Sequence, residues 1–201
     1  MVVAITGGIA SGKSTVTKQL AEGLGATVFD SDIEARRLVD DDLEVRRELV
    51  ATFGRAVISP EGRVDRAALR KIVFDNESRR RELEGIVHPR IRAAWRRRQE
   101  EHLHSRPIAP LVLDIPLLYE TGAEVLLDRV VVVGCRFDTQ LRRLTELRRL
   151  DEAVARKIIA SQFPLADKIL RCQHLIWNDS TPFALEAQVK LLVAHLRELA
   201  G

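Results

Sequence analysis

Residues 7–14, which read Gly-Gly-Ile-Ala-Ser-Gly-Lys-Ser, constrain this 201-residue chain more than any other segment. They match the pattern G-x-x-x-x-G-K-[S/T] of a phosphate-binding loop. Glycines allow successive backbone N–H groups of such a loop to point at phosphate oxygens, because no Cβ stands in the way. Lys13 can reach the β- and γ-phosphates of a nucleotide, and the Ser14 hydroxyl is suited to Mg²⁺. The motif therefore predicts a nucleoside triphosphate as ligand.

The sequence on either side of the loop predicts the strand and the helix that such a loop joins. Residues 2–6 form an apolar, partly β-branched run, which is typical of a buried parallel strand. After the loop, Val16, Leu20 and Leu24 recur at helical spacing. The positive end of this helix dipole would face the phosphates. The alternative is a glycine-rich turn without a ligand, and the joint occurrence of strand, loop, Lys-Ser pair and helix argues against it.

Strand-like and helical segments alternate along the whole chain. The further segments that predict strands are 27–30, 111–114, 129–134 and 175–177. Helices are predicted at 15–24, 32–39, 43–53, 64–73, 76–87, 89–104, 138–150, 151–163 and 182–199. This alternation predicts an α/β fold with a doubly wound, parallel, five-stranded sheet in one domain, 1–201. Because the helices within 55–106 exceed an ordinary crossover connection, we expect them to form an inserted helical subdomain.

The composition excludes several classes of protein. A hydrophobic content of 46% and a charged content of 30% are typical of a soluble folded chain and not of a disordered one. Two cysteines, Cys135 and Cys172, provide neither a disulfide framework nor a metal-ligand spacing, and are most simply core residues. No signal peptide precedes the first strand, and no apolar run approaches membrane-spanning length. We therefore expect a cytoplasmic protein without a membrane partner.

Arginine residues are clustered, although the net charge is only +3. The clusters lie at 79–81, 96–98, 142–143 and 148–149. Nucleic acid, anionic phosphate ligands and solvated helix faces are three interpretations of such clusters. Interspersed glutamates favour solvated helix faces for the first two clusters. Because no nucleic-acid-reading motif or aromatic platform accompanies the arginines, we expect no nucleic-acid partner.

Three aspartates at the ends of predicted strands are candidates for phosphoryl-transfer chemistry. Asp30 and Asp32 lie at the end of the second strand, and Asp114 ends the third. The carboxyl ends of parallel strands meet at the edge of the sheet where ligands bind. Carboxylates there could orient or deprotonate an attacking hydroxyl, or help to hold hydrated Mg²⁺. Helix capping by Asp30 or Asp32, and structural hydrogen bonding by Asp114, are equally open from spacing alone.

The arginines between 142 and 149 indicate which kind of nucleotide-binding protein to expect. Guanidinium groups in this region could neutralise transferring phosphates, as they do in kinases that close a lid. No Asn-Lys-x-Asp segment, which reads guanine in GTPases, is present. The residues alone thus predict a small kinase with a phosphate loop and a basic lid, and they leave the acceptor open.

Several segments taken together resemble the dephospho-CoA kinase family, in the same order and over nearly the whole chain. The segments that carry this likeness are 6–15, Asp30-Ser31-Asp32, Val64-Asp65-Arg66 with Leu69, His88-Pro89, 114–120, Gln140 with Arg143, Gln162, Lys168 and Asn178. The phosphate loop is common to many families, whereas the Asp-x-Asp, His-Pro and Pro-Leu-Leu-Tyr-Glu segments together are far more specific. The resemblance implies a P-loop kinase fold in which 55–106 is the helical acceptor (CoA) subdomain and 138–170 is a helical lid.

The resemblance also implies an activity. In that family the ATP γ-phosphoryl group is transferred to the ribose 3′-hydroxyl of dephospho-CoA, which gives coenzyme A and ADP in the final step of coenzyme A synthesis. A small-molecule acceptor, ATP and Mg²⁺ are therefore the expected ligands. The family pattern places the catalytic base at Asp32, beside the acceptor hydroxyl, and the lid arginine at Arg143.

The motif and the resemblance together assign the remaining roles. Catalytic residues are Asp32, Lys13 and Arg143. Contacts with ATP are Gly8, Ile9, Ala10, Ser11, Gly12, Lys13, Ser14, Thr15 and Asn178. Contacts with the acceptor are Asp32, Arg66, His88 and Arg92, and the magnesium ligands are Ser14 and Asp114. Structural alternatives are a helix cap for His88, an ion pair for Arg66 and a solvated position for Arg143.

The chain departs from the family pattern at two places. Many members have Arg-Asp-Gly where this chain has Leu147-Arg148-Arg149, and Ala-Asp where it has Cys172-Gln173 before the last strand. The candidates for the arginine that contacts ATP are therefore Arg142, Arg143, Arg148 and Arg149. Two other functions stay open: a kinase that acts on a nucleoside or nucleotide, and a nucleotide-binding regulatory or scaffold protein without catalysis.

Overall fold

The computed structural model describes residues 1–74, 76–105, 109–127 and 129–200. The strands are β1 (Val2–Gly7), β2 (Thr27–Asp30), β3 (Leu111–Asp114), β4 (Val130–Gly134) and β5 (His174–Trp177). The helices are α1 (Lys13–Leu24), α2 (Ser31–Asp41), α3 (Leu43–Phe53), α4 (Arg66–Phe74), α5 (Glu77–Ser105), α6 (Phe137–Arg142), α7 (Glu152–Ala160), α8 (Leu165–Arg171) and α9 (Pro182–Ala200). The strands form one five-stranded sheet in the order β2-β3-β1-β4-β5, so the predicted α/β fold is confirmed.

The central position of β1 determines where the phosphate loop emerges. This strand pairs in parallel with β3 on one side and with β4 on the other, and β4 pairs in parallel with β5. All residues of β3 and β4 are buried, as expected for strands covered on both faces. The loop therefore begins at the carboxyl end of the middle strand of a parallel sheet, where open α/β folds bind ligands.

The chain forms two compact units, Met1–Phe29 with Gln99–Gly201 and Asp30–Arg98. The core of the first unit joins one face of the sheet to α1 and α9, with Ile5, Leu20 and Leu196 fully buried. The core of the second unit is helical and includes Val45 and Leu49 of α3. The predicted acceptor-binding role of 55–106 stays a prediction, and its boundary at residue 106 lies outside the described residues.

The prediction of two helices at 76–87 and 89–104 is wrong, because α5 continues through Pro89. Proline normally breaks a helix, since it lacks an N–H group and crowds the carbonyl four residues earlier. That carbonyl belongs to Gly85, which is exposed and can bond to water instead. Buried Val87 and Trp95 anchor the helix on both sides of the proline.

Two further differences lie between residues 138 and 171. The helix predicted at 138–150 is α6 followed by a π-helical turn, Arg143–Leu147. Such a turn keeps a helical pattern in sequence but shifts the residues that follow it around the axis. The seven-residue helix α8 was not predicted, because charged residues interrupt its short apolar pattern. Across the described residues, no helix is long and apolar enough to cross a membrane.

Candidate active site

The phosphate loop has a strained and well-defined backbone. The Ser11 amide donates to the Gly8 carbonyl at 3.2 Å and closes a turn, in which Ala10 has a φ of 56°. A residue with a Cβ pays about 1–2 kcal/mol for this left-handed conformation. Gly12 also has a positive φ, 93°, and directly precedes α1. Such strain persists only where surrounding contacts hold the backbone in place.

Arg143 and Asn178 supply two of those contacts. Arg143 donates to the Ala10 carbonyl at 3.0 Å and to the Asn178 carbonyl at 3.0 Å. The buried Asn178 amide donates to the Ser11 carbonyl at 2.8 Å. The structure thus brings two predicted site residues from the far end of the chain to the loop. The solvated alternative for Arg143 is excluded, while its contribution to catalysis stays a prediction.

Cys135 also lies beside the Arg143 guanidinium, with 3.8 Å between its Sγ and Nη1, the nitrogen that donates to Ala10. Burial raises the pKa of the Cys135 thiol to about 11, although the nearby Arg143 charge opposes this. The thiol is therefore neutral at pH 7 and serves as packing, as the sequence predicts.

Lys13 is held by a carboxylate at the end of β3. Its ammonium group forms an ion pair with Asp114 Oδ1, and the Thr17 hydroxyl donates to Asp114 Oδ2 at 2.8 Å. Asp114 is only 3% exposed, and a buried carboxylate requires such partners. Of the two roles left open for Asp114, the structure shows structural hydrogen bonding. Sequence reasoning missed Thr17, although its position four residues after Lys13 on α1 is a usable signal.

The start of α1 is suited to an anion. Ser14 and Thr15 are exposed in its first turn, and among the described side chains none caps this end of the helix. The first amides of a helix have no partner within it and carry partial positive charge, so they attract phosphate oxygens.

The two predicted magnesium ligands, Ser14 and Asp114, lie in different surroundings, and both assignments stay predictions. The described residues contain no cluster of three or more His, Cys, Asp or Glu side chains that could hold a metal ion. Mg²⁺ usually keeps several waters and binds one or two protein groups together with substrate phosphates, so a dedicated cluster is not required. The Ser14 hydroxyl is exposed and suited to this, whereas both Asp114 oxygens already have partners.

In the second unit, the two aspartates of Asp30-Ser31-Asp32 have different surroundings. Asp30 Oδ1 accepts from the amides of Asp32 at 2.8 Å and Ile33 at 3.0 Å, so Asp30 is the N-cap of α2. Asp32 follows in the first turn with an exposed side chain. The capping interpretation therefore holds for Asp30, and the catalytic prediction for Asp32 stays open.

Arg66 lines a cavity of about 560 Å³ in the second unit. Its other lining residues are Asp40, Asp41, Arg46, Arg63 and Val64. Arg66 Nε lies 3.5 Å from Asp40 Oδ1, which is the ion pair considered as its alternative role. Both side chains of this pair are about half exposed, so solvent weakens their attraction.

His88 and Arg92 lie one turn apart on α5 and therefore on the same face. His88 does not cap a helix, since α5 runs through this position. Burial lowers the pKa of His88, Arg92 lowers it further, and Glu84 opposes the shift. His88 is therefore neutral at pH 7 and offers hydrogen bonds without positive charge.

The two departures from the family pattern lie in different environments. Arg149 has a φ of 54°, a left-handed conformation in which glycine would be unstrained. Gln173 Oε1 accepts from the amide of Val130, the first residue of β4, at 2.8 Å. The loop-binding Asn178 comes after the last residue of β5, so the Gln173 change lies at the opposite end of these strands.

The whole chain was compared with known protein families and with curated proteins. A family model described as dephospho-CoA kinase (CoaE) matches residues 1–183. The chain is 42% identical over 181 residues to the dephospho-CoA kinase of Geobacillus kaustophilus (strain HTA426), which covers 90% of this chain and 89% of that protein.

Solved structures show the same fold. The protein TT1252 from Thermus thermophilus superposes with a TM-score of 0.76 at 34% identity and covers 100% of this chain and 98% of its own. A dephospho-CoA kinase from Campylobacter jejuni gives a TM-score of 0.74 at 23% identity with the same coverage. The predicted P-loop kinase type of sheet is therefore confirmed.

Proposed function

Since this chain belongs to the dephospho-CoA kinase family, it is an ATP-dependent kinase, and we propose that it transfers the ATP γ-phosphoryl group to the ribose 3′-hydroxyl of dephospho-CoA. The observation that carries the proposal is the strained phosphate loop at the start of α1, with Lys13 held beside it by Asp114. Loop amides and the helix N-terminus would bind the ATP phosphates. Lys13 would neutralise charge on the β- and γ-phosphates during transfer.

Arg143 and Asn178 would act on the nucleotide mainly through the loop. Their contacts with Ala10 and Ser11 support this role, because they fix the backbone that surrounds the phosphates. We propose Arg143 as an additional source of positive charge near the transferring group. The family pattern also assigns Asn178 a contact with the nucleotide, and its amide nitrogen lies beside Gly12 of the loop.

Mg²⁺ would be held by Ser14 together with phosphate oxygens and water. When bound, this ion neutralises charge on the β- and γ-phosphates. Asp114 would contribute by orienting Lys13, as its contacts with Lys13 and Thr17 indicate.

Asp32 is the proposed general base for the acceptor hydroxyl. Asp32 is exposed. Asp30 already accepts hydrogen bonds from the first amides of α2, so Asp32 need not cap this helix. Arg66 would bind an anionic part of dephospho-CoA at the cavity that it lines with two further arginines and two aspartates. His88, which is neutral, and the positively charged Arg92 would provide further contacts with the acceptor from one face of α5. We propose a cytoplasmic location, which the two free cysteines support.

The test is a coupled ATP-consumption assay with dephospho-CoA as acceptor, in which mass spectrometry identifies the product. The expected result is one added phosphoryl group on dephospho-CoA and equimolar ADP. A panel of nucleosides and nucleotides is measured in parallel, with Lys13→Ala as the control for contaminating kinases. Phosphorylation of a nucleoside but not of dephospho-CoA would overturn the proposal that dephospho-CoA is the acceptor. Tight ATP binding without turnover on any acceptor would favour the regulatory alternative.

A further inference from the structure

One amide of the phosphate loop is bound by a side chain from far along the sequence. The Ile9 N–H donates to Oε1 of Gln162 at 2.7 Å, across a separation of 153 residues. A backbone N–H is a single donor, so this amide does not point at a phosphate while the bond is made. The predicted contact of Ile9 with ATP therefore does not involve its amide while Gln162 holds that group.

The residue next to Gln162 is fixed in turn by a part-buried ion pair between Glu120 and Lys168. The Phe163 amide donates to Glu120 Oε1 at 3.0 Å, and Lys168 Nζ donates to the same oxygen at 2.7 Å. The Lys168 side chain is fully buried. The Phe163 ring also stacks on Tyr119, with 6.0 Å between centroids. These contacts hold the backbone next to Gln162 and so limit where its side chain can reach.

The bond with Gln162 lies at the strained part of the loop. Ile9 and Ala10 are the two central residues of the turn closed by the amide of Ser11 and the carbonyl of Gly8. Gln162 holds this turn at the Ile9 amide, and Arg143 holds it at the Ala10 carbonyl. Left-handed backbone at a non-glycine residue persists only when such contacts over-determine it.

We propose that Gln162 is a positioning residue for ATP, which keeps the phosphate loop in its binding conformation, and that Glu120 and Lys168 hold Gln162 in place. A loop that is already ordered loses less conformational freedom when a ligand binds. Gln162 should thus strengthen ATP binding without contacting the nucleotide. This inference rests on the proposed use of the loop as the ATP site.

The test replaces Gln162 with methionine, which keeps the length of the side chain and removes the acceptor oxygen. Gln173→Met is the matched control, because Gln173 accepts from the backbone amide of Val130 at 2.8 Å, away from the loop. Calorimetry gives the Kd for ATP without acceptor, and steady-state kinetics give both KM values. Gln162→Met should raise the Kd and KM for ATP about 2- to 12-fold, the range for one net hydrogen bond. The acceptor KM should not change.

A second readout follows the bond itself. Hydrogen exchange at the Ile9 amide should be faster in Gln162→Met than in the unaltered protein, while Gln173→Met leaves it unchanged. An unchanged or lower Kd for ATP in Gln162→Met would overturn the proposal, and so would an equal rise in Gln173→Met. If the unaltered protein binds ATP but does not phosphorylate dephospho-CoA, the proposed acceptor fails while the role of Gln162 is still measured by the Kd.

Discussion

The two glycines that flank α1 provide a matched pair for testing how the phosphate loop is built. Gly12 precedes the helix with a φ of 93°, and Gly25 follows it with a φ of 62°. A Cβ added to Gly12 would overlap the amide nitrogen of Asn178, whereas a Cβ on Gly25 would meet no atom within 4 Å. Alanine at both sites adopts left-handed backbone, but only at Gly12 does it also displace a neighbour.

The expected losses of stability differ for this reason. Alanine in left-handed backbone destabilises the folded state by about 1–2 kcal/mol. Replacing glycine also lowers the conformational entropy of the unfolded chain, which offsets about 0.4–1 kcal/mol of this loss. Gly25→Ala should therefore lower the free energy of unfolding by about 1 kcal/mol. Gly12→Ala also breaks the 2.8 Å bond from Asn178 to the Ser11 carbonyl, which adds about 1–3 kcal/mol for a stranded acceptor. Its total loss should be about 2–4 kcal/mol.

Urea unfolding measures both losses, and calorimetry measures the Kd for ATP. Gly12→Ala should weaken ATP binding, and Gly25→Ala should leave it unchanged. In an Asn178→Ala background, the loss caused by Gly12→Ala should fall to that of Gly25→Ala, because the displaced side chain is gone. Equal losses for the two single variants, or an unchanged difference in that background, would refute the proposed packing of Asn178 against the loop.

Three further predictions concern single positions. Asp32→Asn should bind ATP normally but reduce kcat by roughly 10²–10⁴-fold, the range for general-base assistance, and near-normal turnover would remove Asp32 from that role. Arg149→Gly should raise the free energy of unfolding by up to about 1 kcal/mol by relieving its positive φ, and a lower urea midpoint would contradict this. His88 has a lowered pKa, so below pH of about 6.5 the unfolded state binds more protons and stability falls. Urea unfolding measured between pH 5 and 8 should show that the free energy of unfolding falls less at low pH in His88→Gln than in the unaltered protein. Equal falls in the two proteins would count against a buried, neutral His88.

Local signals explain why the loop and the sheet could be predicted from sequence. Glycines, a lysine and a serine at fixed spacing, placed between an apolar strand and a helix, identify the phosphate loop in the sequence, although distant residues hold its strained backbone. The apolar runs of β3 and β4 indicate burial on both faces. The signals for both features are local in sequence, and the structure agrees with the predicted bounds to within one or two residues.

The features that the sequence missed or left open depend on packing, on distant partners or on a choice between two suitable neighbours. Whether α5 continues through Pro89 depends on the packing of Val87 and Trp95, which the helical pattern does not reveal. Spacing could not assign the cap of α2 to Asp30, because both aspartates suit the start of a helix. The contact of Thr17 with Asp114 likewise joins residues that are 97 positions apart.

The ion pair of Lys13 with Asp114 has a consequence for how tightly a nucleotide can be held. A free lysine side chain loses up to about 2 kcal/mol of rotamer entropy when it is fixed. Here the Asp114 carboxylate, itself anchored by Thr17, restrains the ammonium group as soon as the chain has folded. Much of that entropy is therefore lost during folding and not during nucleotide binding. Thr17, which need not touch any ligand, would thus contribute to affinity through preorganisation of the lysine.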